Sequence, residues 1–217
     1  MATRVYLIRH GETLGAEKRM YKGQTDVPLS SEGEAQAVKA GEFIRGHLKS
    51  RTGYSGLSER SAQTTIEAVY SSDLSRCVKT AELVGGFFNL NPVPVPEFRE
   101  RNFGLWEGMT FEEIDKKYPD DFANWAKNPL KFSPAGGEST EDVTRRTMPA
   151  LKKLVKLHLN KTIVIVAHGG ANRVILCNLL KIPLRHIFRI EQDFACVNVV
   201  EIHRNLPVVL LLNHTHR

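Results

Sequence analysis

A chain of 217 residues, 41% hydrophobic and 25% charged, has the make-up of an ordinary soluble globular protein, and its length fits one domain spanning residues 1–217. The net charge of +6 comes from Lys and Arg scattered along the chain, which argues against a basic tract for nucleic acid or membrane and leaves a share of the excess for an anionic substrate. Cys77, Cys177 and Cys196 lack any Cys-x-x-Cys spacing, so neither a disulfide framework nor a structural zinc site is expected, a reducing cytoplasm fits, and no apolar run approaches the roughly 20 residues of a membrane span or suggests a signal or anchor.

The first apolar run, Val5 to Ile8, predicts a strand, and it leads directly into Arg9-His10-Gly11-Glu12-Thr13. Ser31 with Glu34 supplies a capping-box start for a helix whose apolar stripe is Ala37, Gly41, Ile44 and Leu48. Lys49 to Thr65, rich in Ser, Thr, Gly and Arg, reads as a surface insertion or mobile loop. A second strand is expected at Ala68 to Tyr70, followed by a helix with its stripe on Leu74, Cys77, Val78, Ala81 and Val84. The stretch from Asn91 to Pro134 carries six of the ten prolines and both tryptophans, and it reads as a lid-like excursion over the sheet.

Ser139 and Asp142 form a second capping box, ahead of a stripe on Val143, Thr147, Leu151, Leu154 and Leu157. Strands are expected at Ile163 to Ala167, Val197 to Ile202 and Val208 to Leu212. Short Val- and Ile-rich runs alternating with helical periods predict an α/β fold, a mostly parallel central sheet with helices on its faces.

Two of these strands end in the same dipeptide, His10-Gly11 and His168-Gly169. Open α/β sheets bind ligands beyond the carboxyl ends of their strands. Glycine permits close backbone approach, and the free amides of a following helix start favour an anion. The pattern suits a phosphate.

Arg9-His10-Gly11-Glu12-Thr13 resembles the signature of the histidine phosphatase superfamily, which includes cofactor-dependent phosphoglycerate mutases, sugar bisphosphatases and α-ribazole phosphatase. The resemblance continues in order. Gly23-Gln24-Thr25-Asp26-Val27-Pro28-Leu29 is similar to the family's Gly-x-x-Asp-x-Pro-Leu turn, and Ser71-Ser72-Asp73-Leu74-Ser75-Arg76 with Thr80-Ala81 resembles the motif supplying a second phosphate-binding arginine. Glu100 to Gly108 matches the segment of the proton donor, Gly136-Gly137-Glu138-Ser139 the helix start after it, and His168-Gly169-Gly170 the second histidine site. These motifs cover about three quarters of the chain and imply a three-layer α/β/α sandwich of the phosphoglycerate mutase type.

What the resemblance implies is a phosphomonoester hydrolase without cofactor or metal, working through a phosphohistidine. His10 is the expected nucleophile and Glu100 the acid and base, with Glu107 its nearest rival. Arg9 and Arg76 are expected to hold the phosphoryl oxygens with His168 as a further donor, while Gly11, Thr13, Lys22, Gly23 and Gly169 complete the substrate site. Arginine forks match phosphate oxygens. Nearby cations would keep His10 neutral and able to attack. Many relatives carry Asn where this chain has Ala16, and Lys22 is placed to supply compensating charge. Trp106 and Trp125 read as core or lid packing, and the histidines at 47, 158, 186, 203, 214 and 216 as surface or packing residues.

Three rival readings stand beside the hydrolase. The nearest is a cofactor-dependent phosphoglycerate mutase; Gly104-Leu105-Trp106-Glu107-Gly108 and the short tail favour the phosphatase branch. A non-catalytic phospho-ligand or protein-binding module is the second, and a metal site on His10 and His168, lacking a supporting carboxylate cluster, the third. Among substrates, α-ribazole phosphate comes first, then small sugar phosphates and general monoesters. The expected partner is thus a small phosphorylated metabolite rather than nucleic acid or membrane, and a homodimer is left open.

Overall fold

In a computed structural model, which describes residues 2–49, 65–204 and 206–215, the first strand, β1 (Thr3–Arg9), lies inside a six-stranded sheet. Helix α1 (Ser31–Lys49), strand β2 (Ala68–Ser71), helix α2 (Ser75–Gly86) and strand β3 (Pro92–Pro94) follow. Then come α3 (Phe111–Lys117), α4 (Pro119–Lys127), α5 (Thr140–Leu157), β4 (Thr162–Ala167), α6 (Gly169–Leu180), β5 (Val197–His203) and β6 (Leu206–His214). The strand order is β3-β2-β4-β1-β5-β6. β1 pairs parallel with β4 and antiparallel with β5, and β2 pairs parallel with both β4 and β3. The sheet is therefore mostly parallel, with an antiparallel β5-β6 edge.

Alternation along the strands builds the two faces. Val5, Leu7, Ile163 and Ile165 pack with Leu151 of α5 and Ile175 of α6, whereas Tyr6, Ile8, Val164 and Val166 pack with Ile44 of α1 and Ala81 of α2. A strand buried on both faces reads as a continuous apolar run, which explains why β1 and β4 stand out in the sequence. The result is the expected α/β/α sandwich.

Local chemistry sets the helix ends. Ser139 and Asp142 form the predicted reciprocal capping box. The box predicted at Ser31 and Glu34 does not form: Ser31 is already the first helical residue, and the Ser30 hydroxyl accepts from the Gly33 amide at 3.1 Å. Ser30 is recruited because it also donates to the Glu12 carboxylate at 2.9 Å, tying the helix start to the segment after β1. Leu74 precedes α2 instead of lying within it, and Leu157 at the end of α5 is exposed.

The excursion opens with a strand that its prolines conceal. β3 lies at the sheet edge, where proline's missing N–H costs no ladder bond. α3 and α4 follow, and Trp106 is buried against Phe132 with ring centroids 5.5 Å apart. The interior of the insertion expected at Lys49 to Thr65, residues 50–64, lies outside the described residues. None of the described helices is long and apolar enough to cross a membrane.

Candidate active site

Because β1 and β4 are neighbours in parallel register, Arg9 opposite Ala167, the residues following them emerge side by side. The rings of His10 and His168 lie 5.2 Å apart, edge to face. The main chain locks this arrangement: the His10 amide donates to the Ala167 carbonyl at 3.0 Å, and the Ala195 amide donates to the His10 carbonyl at 3.1 Å. Gly11 is required where α1 approaches, since a Cβ there would stand 2.2 Å from the Gly33 carbonyl oxygen.

The tautomer of His10 follows from its surroundings. Nδ1 lies 2.7 Å from the Gly11 carbonyl oxygen, which can only accept, so Nδ1 carries the proton and Nε2 the lone pair. Burial, then the charges of Arg9 and Arg76, push the pKa of His10 well below the ordinary histidine range. The ring is neutral near neutrality and carries a nucleophilic nitrogen.

His10 lines a cavity of about 510 Å³ together with Arg9, Thr13, Lys22, Gly23, Arg76, Glu100 and Gly169. Arg76 is 1% exposed. Its Nη1 and Nη2 donate to the carbonyls of Thr25 and Gly23 at 2.9 and 2.6 Å, so the Gly23 turn fixes the plane of the fork. Asp26 joins that turn to α2 by accepting from the Ser75 amide at 2.9 Å. Arg9 donates from Nη1 to the Gln192 carbonyl at 2.6 Å, and its guanidinium lies 4.0 Å from the centroid of the Phe194 ring. Its Nε is buried without a protein partner.

Glu100 occupies the same wall. Its Oε2 accepts from the Gly170 amide at 2.9 Å and its Oε1 from the Arg101 amide at 2.8 Å. This seat against the start of α6 needs glycine, because a Cβ at position 170 would lie 2.4 Å from Oε1. Glu107 is committed elsewhere: it accepts from the amides of Gln24, Thr25 and Phe103 at 2.8, 2.9 and 3.1 Å. Of the two carboxylates singled out in the sequence, Glu100 lines the cavity and Glu107 holds the Gly23 turn.

Lys22 donates to the Thr13 hydroxyl and, at 2.6 Å, to the Leu14 carbonyl. Ala16 lines the same cavity, and the Lys22 ammonium is held by Leu14, two residues before the position where the expected amide is missing. His168 and Gly11 lie behind the wall: His168 is fully buried, its Nε2 2.9 Å from the Ser72 hydroxyl, and the Gly11 amide donates to Thr80 Oγ1 at 3.1 Å. Burial first, then Arg76 and His10, hold the pKa of His168 well below the usual range. Trp106 is core, whereas Trp125 lines the cavity from α4.

Several contributors carry no local sequence signal. Arg146 of α5 donates to the carbonyls of Glu97, Arg99 and Glu100 at 2.7, 2.8 and 2.9 Å and pairs with Glu138 at 2.8 Å. It thereby clamps the backbone that presents Glu100. Phe194 and Gln192 come from the loop before β5, and Ser72 was visible only inside its motif.

A buried neutral imidazole among guanidinium groups, with a carboxylate on the same wall, defines an α/β enzyme of phosphoryl transfer. The chain belongs to the histidine phosphatase superfamily, branch 1, whose family model matches residues 5–66 and 49–215. It is 32% identical to phosphoserine phosphatase 1 of Hydrogenobacter thermophilus over 213 residues, covering 98% of this chain and 92% of that protein. A mycobacterial glucosyl-3-phosphoglycerate phosphatase solved with VO3 superposes with a TM-score of 0.81 at 28% identity, covering 98% and 99% of the two chains. A putative α-ribazole-5'-phosphate phosphatase of Escherichia coli superposes with a TM-score of 0.83 over 99% and 97%, and at 24% identity it speaks for the fold alone. The chain is a phosphatase of the histidine type.

Proposed function

We propose that the chain hydrolyses a small phosphorylated metabolite through a phosphohistidine on His10. The observation that carries the proposal is the His10 tautomer: Nδ1 is bound to the Gly11 carbonyl, which leaves Nε2 as the attacking nitrogen. Nε2 forms a bond to phosphorus as the bond to the ester oxygen breaks, and the departing alkoxide takes the proton of the Glu100 carboxylic acid. In the second half-reaction the Glu100 carboxylate takes a proton from water, the hydroxide bonds to phosphorus, and the pair of the N–P bond returns to Nε2. Catalysis of this kind is positioning plus charge stabilisation. Arg9, Arg76 and Lys22 supply the charge, Thr13, Gly23 and the Gly169 amide shape the cradle, and His168 with Gly11 backs the nucleophile.

The acceptor is water in this reading, and the substrates in the names of relatives support phosphoester cleavage without selecting one for this chain. α-Ribazole phosphate stays among the substrates to be assayed, with phosphoserine and sugar phosphates. Phosphate release from such a panel tests the proposal. The wild type is expected to turn over at least one ester, and His10→Ala to lower the rate by about 10³-fold or more. Activity is expected to persist in excess chelator. Mutase turnover with a bisphosphate primer and negligible phosphate release would overturn the hydrolytic assignment.

A further inference from the structure

Beyond the phosphate pole, the cavity wall changes character. Tyr21, Phe103, Trp125, Ile187 and Phe188 line it, and the Trp125 and Phe188 rings meet edge to face at 6.1 Å. Phe188 is 62% exposed, an apolar surface at the site that a ligand's body would cover. Two guanidinium groups of the wall are already engaged. Arg101 donates to the carbonyls of Glu138 and Phe132 at 2.6 and 2.9 Å, and Arg173 donates to the Ile190 carbonyl at 2.7 Å and pairs with Glu191.

Charge narrows the choice further. Among the described residues, Glu100 is the only anionic side chain on the wall, against Arg9, Arg19, Lys22, Arg76, Arg101 and Arg173. Both Glu100 oxygens accept main-chain amides, and the reaction proposed above uses the same carboxyl group as its acid. A substrate ammonium would enter a cavity with no free anion to meet it and a surplus of cations to repel it. At about 510 Å³ the cavity also has the size of sites that enclose a ring-sized body rather than a phosphate with a short tail.

We infer that the site selects phosphomonoesters whose alcohol carries a flat apolar or aromatic body free of an ammonium group, covered by Trp125 and Phe188, over amino-acid phosphates. This rests on the hydrolase reading above. The cavity thus differs in preference from what the name of the phosphoserine phosphatase relative would suggest.

The test compares kcat/KM for 2-phenylethyl phosphate, ethyl phosphate and phosphoserine. The first two both leave as primary alkoxides, so their chemistry at phosphorus is matched and their ratio reads the body of the ester. The wild type is expected to prefer phenylethyl over ethyl phosphate by about ten- to a hundredfold and to rank phosphoserine below phenylethyl phosphate. That ratio is expected to fall toward one in Trp125→Ala and Phe188→Ala and to survive in Phe188→Tyr. A wild-type ratio near one, a ratio unchanged in both alanine variants, or better turnover of phosphoserine would overturn the inference. Should a variant fail to fold, the wild-type ranking decides alone. Ethyl phosphate cleavage without the preference would sink this inference and leave the hydrolase reading standing, whereas no phosphate release from any ester would sink both.

Discussion

Arg76 is committed to its neighbours before any substrate arrives. Its fork is held by the Gly23 and Thr25 carbonyls, and a lysine would keep the charge while losing the planar geometry that those two acceptors fix. Arg76→Lys is expected to lower kcat/KM by roughly 10²-fold in steady-state assays and to cost about 1–3 kcal/mol in denaturant unfolding through the carbonyls left unpaired. His10 and His168 carry a pH signature of their own. Both have pKa values held far below the ordinary range in the folded protein, so below about pH 6.5 the unfolded chain binds protons that the folded one refuses, and stability falls as pH falls. The loss begins as pH drops through the unfolded value and is bounded at roughly 1.4 kcal/mol per pH unit for each histidine until the folded pKa is reached. Urea unfolding at about pH 7.5 and about pH 5.5 reads it, and His168→Asn should flatten the dependence. Equal slopes in wild type and variant would contradict this account.

Among the elements, two parallel neighbours do most to create the site. β1 and β4 were legible because both are continuous apolar runs, and the His-Gly dipeptides after them were legible because the strand ends are where such sheets expose functional groups. The start of α1 was misplaced by one residue because a local pattern cannot show that Ser30 is engaged by Glu12. β3 escaped notice because its two prolines argue against a strand, and only its place at the edge reconciles them. Arg146 was invisible for a related reason: on α5 it reads as an ordinary polar residue, and its carbonyl partners lie 46 to 49 residues away. Arg146→Met keeps the stem and removes the clamp. It is expected to lower kcat by about 10- to 100-fold with little change in KM, because the group it steadies, Glu100, is the proposed acid and base of the chemical step. A rise in KM alone would place Arg146 in binding instead.

Across the whole molecule, the scattered positive charge acquires a location. Arg9, Lys22, Arg76 and Arg101, far apart in sequence, line one cavity, which is why the sequence displays no basic block although the site is strongly cationic. The order of motifs was readable from short local patterns, whereas the apolar end of the cavity was not, because Trp125 and Phe188 come from separate segments and meet only in space. The central claim is that a covalent phosphoryl group resides on His10 between the two half-reactions. Rapid mixing with a labelled phosphomonoester, a quench into alkali that preserves phosphohistidine, and peptide mapping test it most directly. The account predicts label on His10 at Nε2, formed and discharged at rates compatible with turnover and absent from His10→Ala. Full turnover with no label at His10 in any quench, or label carried by another residue, would contradict it.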